Sequence, residues 1–131
     1  MGKKKPNLAE GHYRVIQRYA KIAPRKCRYV ADLVRGQSVN SGLDILRYSH
    51  RKGARLLEKL INASVANASY AGAIDVSSLY IKEVRVDEGP VYKRWRARAR
   101  GRACQILKRM SHIQLIVAER PEKETQEQEK E

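Results

Sequence analysis

Phenylalanine is absent from these 131 residues, tryptophan occurs once and cysteine twice. A membrane-surface helix needs bulky apolar side chains along one side and lysines along the other. The missing Phe, and the position of Trp95 inside an arginine run, argue against one. Cys27 and Cys104 lie far apart and form no Cys-x-x-Cys pair, so neither a disulfide framework nor a zinc site is expected, and two reduced thiols are. No apolar run reaches the roughly eighteen residues that span a bilayer. Met1-Gly2-Lys3-Lys4-Lys5 also has none of the apolar stretch of a secretory signal, so the chain is expected to stay in the cytoplasm where it is made. Acids are scarce: 14 Asp and Glu face 28 Lys and Arg, a net charge of +14.

The surplus is unevenly spread. Glu119 to Glu131 hold six Glu against Arg120, Lys123 and Lys130, which leaves +17 on the first 118 residues. Like charges at that density repel one another in a compact monomer. They are relieved against a polyanion, whose condensed counterions are released on binding, so the expected partner is nucleic acid. The length suits one domain. It is expected at 11–120, between a basic tail at 1–10 and an acidic, disordered tail at 121–131, whose end from Thr125 to Glu131 has no apolar residue to bury.

Along the chain, Tyr13, Val15 and Tyr19 alternate with Arg14 and Arg18, a half-buried strand with one basic face over His12 to Ile22. Pro24 suits the first position of a helix, and the three- and four-residue spacing of Cys27, Val30, Ala31 and Val34 predicts that helix to Arg35, before Gly36. Ser38 can cap a second, shorter helix through Val39, Leu43 and Leu46, ending near His50. A third helix, Arg51 to Ala71, aligns Ala54, Leu57, Ile61, Ser64, Val65 and Ala68, with Gly72 as its stop. Then the period becomes two. Leu79, Ile81, Val84 and Val86 predict a strand with a bulge between Ile81 and Val84. Ile113, Leu115 and Val117 predict a strand buried on both faces or nearly so.

Between these strands, Pro90 to Arg109 carries Lys93, Arg94, Arg96, Arg98, Arg100, Arg102, Lys108 and Arg109 and no acid. No core can bury such a stretch, so it belongs on a surface or on another molecule. From Arg94 to Ala103 every second residue is Arg. In an extended chain all five would share one side at intervals of about 6.6 Å, with Trp95, Ala97, Ala99, Gly101 and Ala103 on the other. Planar, bidentate guanidinium groups at that spacing suit a phosphate backbone. A solvated, disordered charge run is the blander reading. Its place between two strands, away from either end, speaks against that.

Other candidate chemistry is thin. Asp87 and Glu88 are adjacent, so in a strand they face opposite sides and cannot work as an acid–base pair; a turn-entry role is expected for them. His12, His50 and His112 have no ligand spacing. No enzyme activity, cofactor or metal is expected. Trp95 can anchor the hairpin on its partner strand, stack on an unpaired base, or face an open channel.

Seven words then occur in order: Pro24-Arg25-Lys26, Val30-Ala31-Asp32-Leu33-Val34-Arg35-Gly36, Leu43-Asp44-Ile45-Leu46, Ala66-Asn67-Ala68, Val86-Asp87-Glu88-Gly89-Pro90, Arg98-Ala99-Arg100-Gly101-Arg102-Ala103 and Ser111-His112-Ile113. The chain from about Gly11 to Arg120 thereby resembles the ribosomal protein L twenty-two family. The resemblance implies an α+β fold, three helices packed on a small antiparallel sheet, with a long protruding basic β-hairpin over 79–118. It implies a non-enzymatic constituent of the large ribosomal subunit whose hairpin lines the nascent-chain exit tunnel. The implied partners are large-subunit ribosomal RNA, other large-subunit proteins and the nascent polypeptide, with no membrane and no homo-oligomer. Together with the basic pattern it assigns RNA contact to Arg14, Arg18, Arg25, Lys26, Lys93, Arg94, Arg96, Arg98, Arg100, Arg102, Lys108, Arg109 and His112. A tunnel-lining hairpin tip is expected at Pro90, Val91, Tyr92, Lys93, Arg94 and Trp95. The chain departs from the family pattern at Ala23, where a Ser helix cap is usual, and at Ala97, where Pro is common. A free-standing nucleic-acid-binding module would explain the charge equally well, but not the ordered words.

Overall fold

Apolar residues at helical spacing need a second surface to bury against, and here a sheet supplies it. The computed structural model describes residues 11–71 and 76–120; the two tails and Gly72, the expected helix stop, lie outside them. The elements run β1 (His12–Ala20), α1 (Pro24–Val34), α2 (Val39–Tyr48), α3 (Lys52–Tyr70), a short 3-10 turn (Val76–Ser78), β2 (Leu79–Ala97) and β3 (Ala103–Glu119). The three strands form one antiparallel sheet in the order β1-β3-β2. This is the expected α+β architecture with its hairpin.

Each helix begins where its sequence says. Pro24 occupies the first turn of α1 behind Ala23, which gives no side-chain cap, whereas the Ser38 hydroxyl at the start of α2 accepts from the Ser41 N–H. Cys27, Val30, Ala31 and Val34 of α1 are fully buried, as are Leu57, Ile61 and Ala68 of α3. They meet Ile81 and Val84 of β2 and Ile113, Leu115 and Val117 of β3 in one core. Val15, Leu115 and Val84 form a row across all three strands.

The expectation that β3 is buried on both faces needs correction. Ile113, Leu115 and Val117 are buried, but His112, Gln114 and Ile116 are only half-buried, because the helices cover one face of the sheet and nothing among the described residues covers the other. The bulge foreseen in β2 is present, as a register shift between Ile81 and Glu83.

Helix α1 also closes the free edge of β2. The Arg28 guanidinium donates twice to the Val86 carbonyl, at 3.1 and 3.0 Å, and Arg35 donates to the Val84 carbonyl at 3.0 Å. The Gly36 N–H donates to the Ile81 carbonyl at 2.8 Å, and the Ile81 N–H to the Gln37 carbonyl at 2.9 Å. An unpaired strand edge is a template for aggregation, and these bonds occupy it. Arg28 of α1 and Arg35 at its C-terminal cap are therefore structural, despite the charge of the chain.

Burial pushes the Cys27 thiol up to about 11 from 9.0, while Cys104 lies half-exposed on the hairpin. At pH 8 a thiol reagent should label Cys104 alone, and Cys27 should react only after unfolding. Because the folded value is the higher one, the unfolded chain loses its proton first. The Cys27 contribution to stability is then whole below pH 9 and falls between pH 9 and 11, by up to about 1.4 kcal/mol per unit. Equal labelling of both thiols in the folded protein would contradict this.

Candidate nucleic-acid interface

The hairpin outruns its support. β1 pairs with β3 only from Ala118 back to Ser111, opposite Ala20. Beyond that point β2 and β3 continue alone through seven pairs, from Val91 opposite Arg109 to Ala97 opposite Ala103. At about 3.3 Å per residue this two-stranded ribbon is about 20 Å long.

Its base is marked by a second register shift, between Glu88 and Val91. Pro90 has no N–H for the ladder, and a Cβ on Gly89 would stand 3.2 Å from the Met110 carbonyl group, a close backbone approach that a larger residue would have to push apart. Asp87 and Glu88 therefore sit within β2, opposite His112 and Ser111, at the entry to a bulge. They do not begin a turn, which corrects the role expected for them.

The reversal itself comes later than expected. The Arg102 N–H donates to the Ala99 carbonyl at 3.4 Å and the Arg98 N–H to the Arg102 carbonyl at 2.7 Å. Arg100 and Gly101 carry φ of +60° and +66°, the paired left-handed residues of a type I′ turn. The tip is thus Arg98 to Arg102. Pro90 to Trp95, expected there, lie along β2. The single extended run of five arginines is likewise corrected: Arg94 and Arg96 share one side of β2, while Arg98, Arg100 and Arg102 curl through the turn. Trp95 lies opposite Gln105 and is 70% exposed, so it does not anchor the hairpin on its partner strand.

The remaining site residues divide into groups. Arg14, half-buried, and exposed Arg18 stand on β1. Tyr13 and Val15 pack on the core, which turns Arg14 and Ile16 to the uncovered face of the sheet. His112 accepts the Tyr19 N–H on Nδ1 at 3.0 Å, and its ring meets the Tyr19 ring edge-on at 4.9 Å. Tyr19 has φ +56°, so one service of His112 is to hold a strained residue where β1 breaks register.

Lys26, Arg94, Lys108 and Arg109 come together at the hairpin base. They line a cleft of about 1040 Å³ with Lys21, Arg51 and Lys52, between the hairpin and the starts of α1 and α3. Lys21, Tyr29, Arg51 and Lys52 of that cleft were not singled out in the sequence. The available signal was the absence of any acid in the first turn of α1 or α3. Tyr29 has the Arg51 guanidinium 6.0 Å from its ring centroid, and Tyr92 has that of Arg94 at 5.4 Å. Among the described residues, no carboxylate pairs with any of the eight hairpin cations; the four ion pairs join Arg35, Arg47 and Arg85 to nearby acids.

Fold and charge together define a class: a small basic α+β domain bearing a long cationic arm whose charges the described part of the chain does not neutralise. Comparison with known proteins gives the family. Residues 15–118 match ribosomal protein L22p/L17e, and the chain belongs to that family. It is 45% identical over 107 residues to large ribosomal subunit protein uL22 of Syntrophobacter fumaroxidans, covering 82% of this chain and 97% of that one. It is 47% identical over 103 residues to the uL22 of Bdellovibrio bacteriovorus, covering 79% and 94%. The protein is accordingly a structural component of the large subunit of the cytoplasmic ribosome, and not an enzyme.

Proposed function

We propose that this chain binds large-subunit ribosomal RNA, supports assembly of the subunit, and lines the nascent-polypeptide exit tunnel with the outer part of its hairpin. The functional unit is 11–120, and the other partners are neighbouring large-subunit proteins and the nascent chain. One observation carries the reading: among the described residues, eight cations without carboxylate partners stand on a hairpin arm whose outer part pairs with no third strand.

Such a ribbon is marginal alone, and its own charges oppose it. Phosphates threaded along it supply both counter-charge and support, so the ribbon holds one conformation only against RNA. Arg25 and Lys26 carry the cationic surface onto the start of α1, and Arg14, Arg18 and His112 contribute from the open sheet face.

Binding of the purified chain to ribosomal RNA should weaken with salt by about 0.7 to 0.9 in the log–log slope per phosphate engaged. A total slope steeper than about 3 between 0.05 and 0.5 M salt is expected. In sucrose gradients of a native extract the chain should remain near-stoichiometric with large subunits after a high-salt wash. A slope near zero, or loss from the subunit at modest salt, would refute the reading.

A further inference from the structure

The cleft at the hairpin base has a composition that phosphate binding alone does not explain. Its rim is cationic, with Lys26, Arg51, Arg94 and Lys108, but its floor is apolar: Ile22 and Met110 are buried and Ile106 is half-buried. Two tyrosines stand in the wall. Tyr29 is 53% exposed and Tyr92 50%, and each already carries an arginine over its ring.

A regular duplex presents phosphates, sugars and base edges to such a surface, but the flat faces of its stacked bases cannot reach an apolar floor. An unpaired nucleotide can offer both halves. Its base has a flat apolar face for tyrosine or guanidinium, and its flanking phosphates meet the rim. The volume is ample, since pockets that enclose small ligands run from roughly 300 to 1,000 Å³.

We infer that this cleft holds one unpaired nucleotide extruded from the RNA, with its base stacked on the Tyr29–Arg51 and Tyr92–Arg94 platforms and its phosphates held by Lys26 and Lys108. The inference rests on the RNA-binding reading above and adds a subsite with its own chemistry. It also assigns Tyr29 and Tyr92, which bear no charge, a direct part in recognition. The cleft lies where the arm leaves the domain. A nucleotide seated there would fix the angle of the arm as well as adding affinity.

The test compares two RNAs on the full chain: a 20-base-pair duplex, and the same duplex with a single bulged 2-aminopurine. The bulged RNA should bind about tenfold tighter, with the 2-aminopurine fluorescence quenched on binding. The Tyr29→Leu/Tyr92→Leu pair should lose both the preference and the quenching while binding the plain duplex with the original salt slope. The Tyr29→Phe/Tyr92→Phe pair, which keeps both rings, should retain them. Equal affinity of the unaltered protein for the two RNAs, without quenching, overturns the subsite and leaves the RNA reading intact. Displacement of the bulged RNA by a poly-glutamate peptide at equal concentration overturns it as well, since the site then selects charge alone. Failure to bind either RNA would instead remove the reading on which the inference rests. Should the Leu pair not fold, the affinity ratio and the quenching in the unaltered protein still decide.

Discussion

Replacing Arg96, Arg98 and Arg100 together by Ala should lower RNA affinity about a hundredfold at 0.1 M salt while leaving the melting temperature of the free chain within about 3 °C. All three side chains are exposed and none is paired with a carboxylate among the described residues. Exposed cations contribute little to folding. Arg98 Nε does approach the Cys104 sulfur at 3.1 Å, but sulfur is a weak acceptor. Against RNA the arithmetic reverses. Each phosphate neutralised is worth about 1 kcal/mol at 0.1 M salt from counterion release, so three contacts multiply to two or more orders of magnitude. The salt slope should fall by about 2 to 3 at the same time. Arg→Lys at these positions should lose less, because charge is kept and only the bidentate fork is forfeited. Fluorescence anisotropy across a salt series and thermal unfolding of each variant check both halves. An Ala variant that enters large subunits at full occupancy would show that the tip does not seat the protein. One that fails to fold would show that the run belongs to the core.

Leu115→Ala should do the opposite. Leu115 is fully buried on the central strand, between Val15 of β1 and Val84 of β2, under the helices. Removing its side chain loses the burial of three heavy atoms and leaves a void that a strand held on both sides cannot collapse to fill. The cost is about 2 to 5 kcal/mol, a large part of the roughly 5 to 15 kcal/mol that keeps a domain folded. Urea unfolding should show the midpoint falling with little change in slope, and the melting temperature should drop by roughly 10 to 20 °C. At temperatures where the variant remains folded, its RNA salt slope should be unchanged, because no hairpin cation has moved. A loss below about 1 kcal/mol would mean that the three-strand row is not the centre of the core.

The two predictions separate because the chain separates its tasks, and much of that division was legible. Cys27, Val30, Ala31 and Val34 at helical spacing, Ser38 before its helix, and Leu79, Ile81, Val84 and Val86 at strand spacing each reported local geometry that burial then required. The arginine pattern was legible as cationic surface but not as shape. Alternation reads the same whether a strand continues or turns, and the reversal depends on left-handed backbone at Arg100 and Gly101, of which only the glycine is a signal. For the same reason Pro90 has the mark of a tip and is a bulge. Its missing N–H disrupts a ladder locally, yet the strands on either side keep their pairing.

By itself the sequence determined the cationic surface, the number and type of elements, and which residues could not be buried, since these follow from composition, period and the cost of desolvating charge. Only the tertiary structure decided which cations are matched within the fold and which are left exposed. Arg28 and Arg35 were sequestered on β2 carbonyls. His112 was drawn to the Tyr19 backbone, and Lys26, Arg51, Arg94 and Lys108 were gathered around two tyrosines from segments up to 82 residues apart in the chain. A guanidinium carries the same charge wherever it stands. Whether it is matched by a carbonyl within the fold or left for a phosphate outside it depends on what the packing of distant elements brings within about 3 Å, and no local pattern encodes that distance.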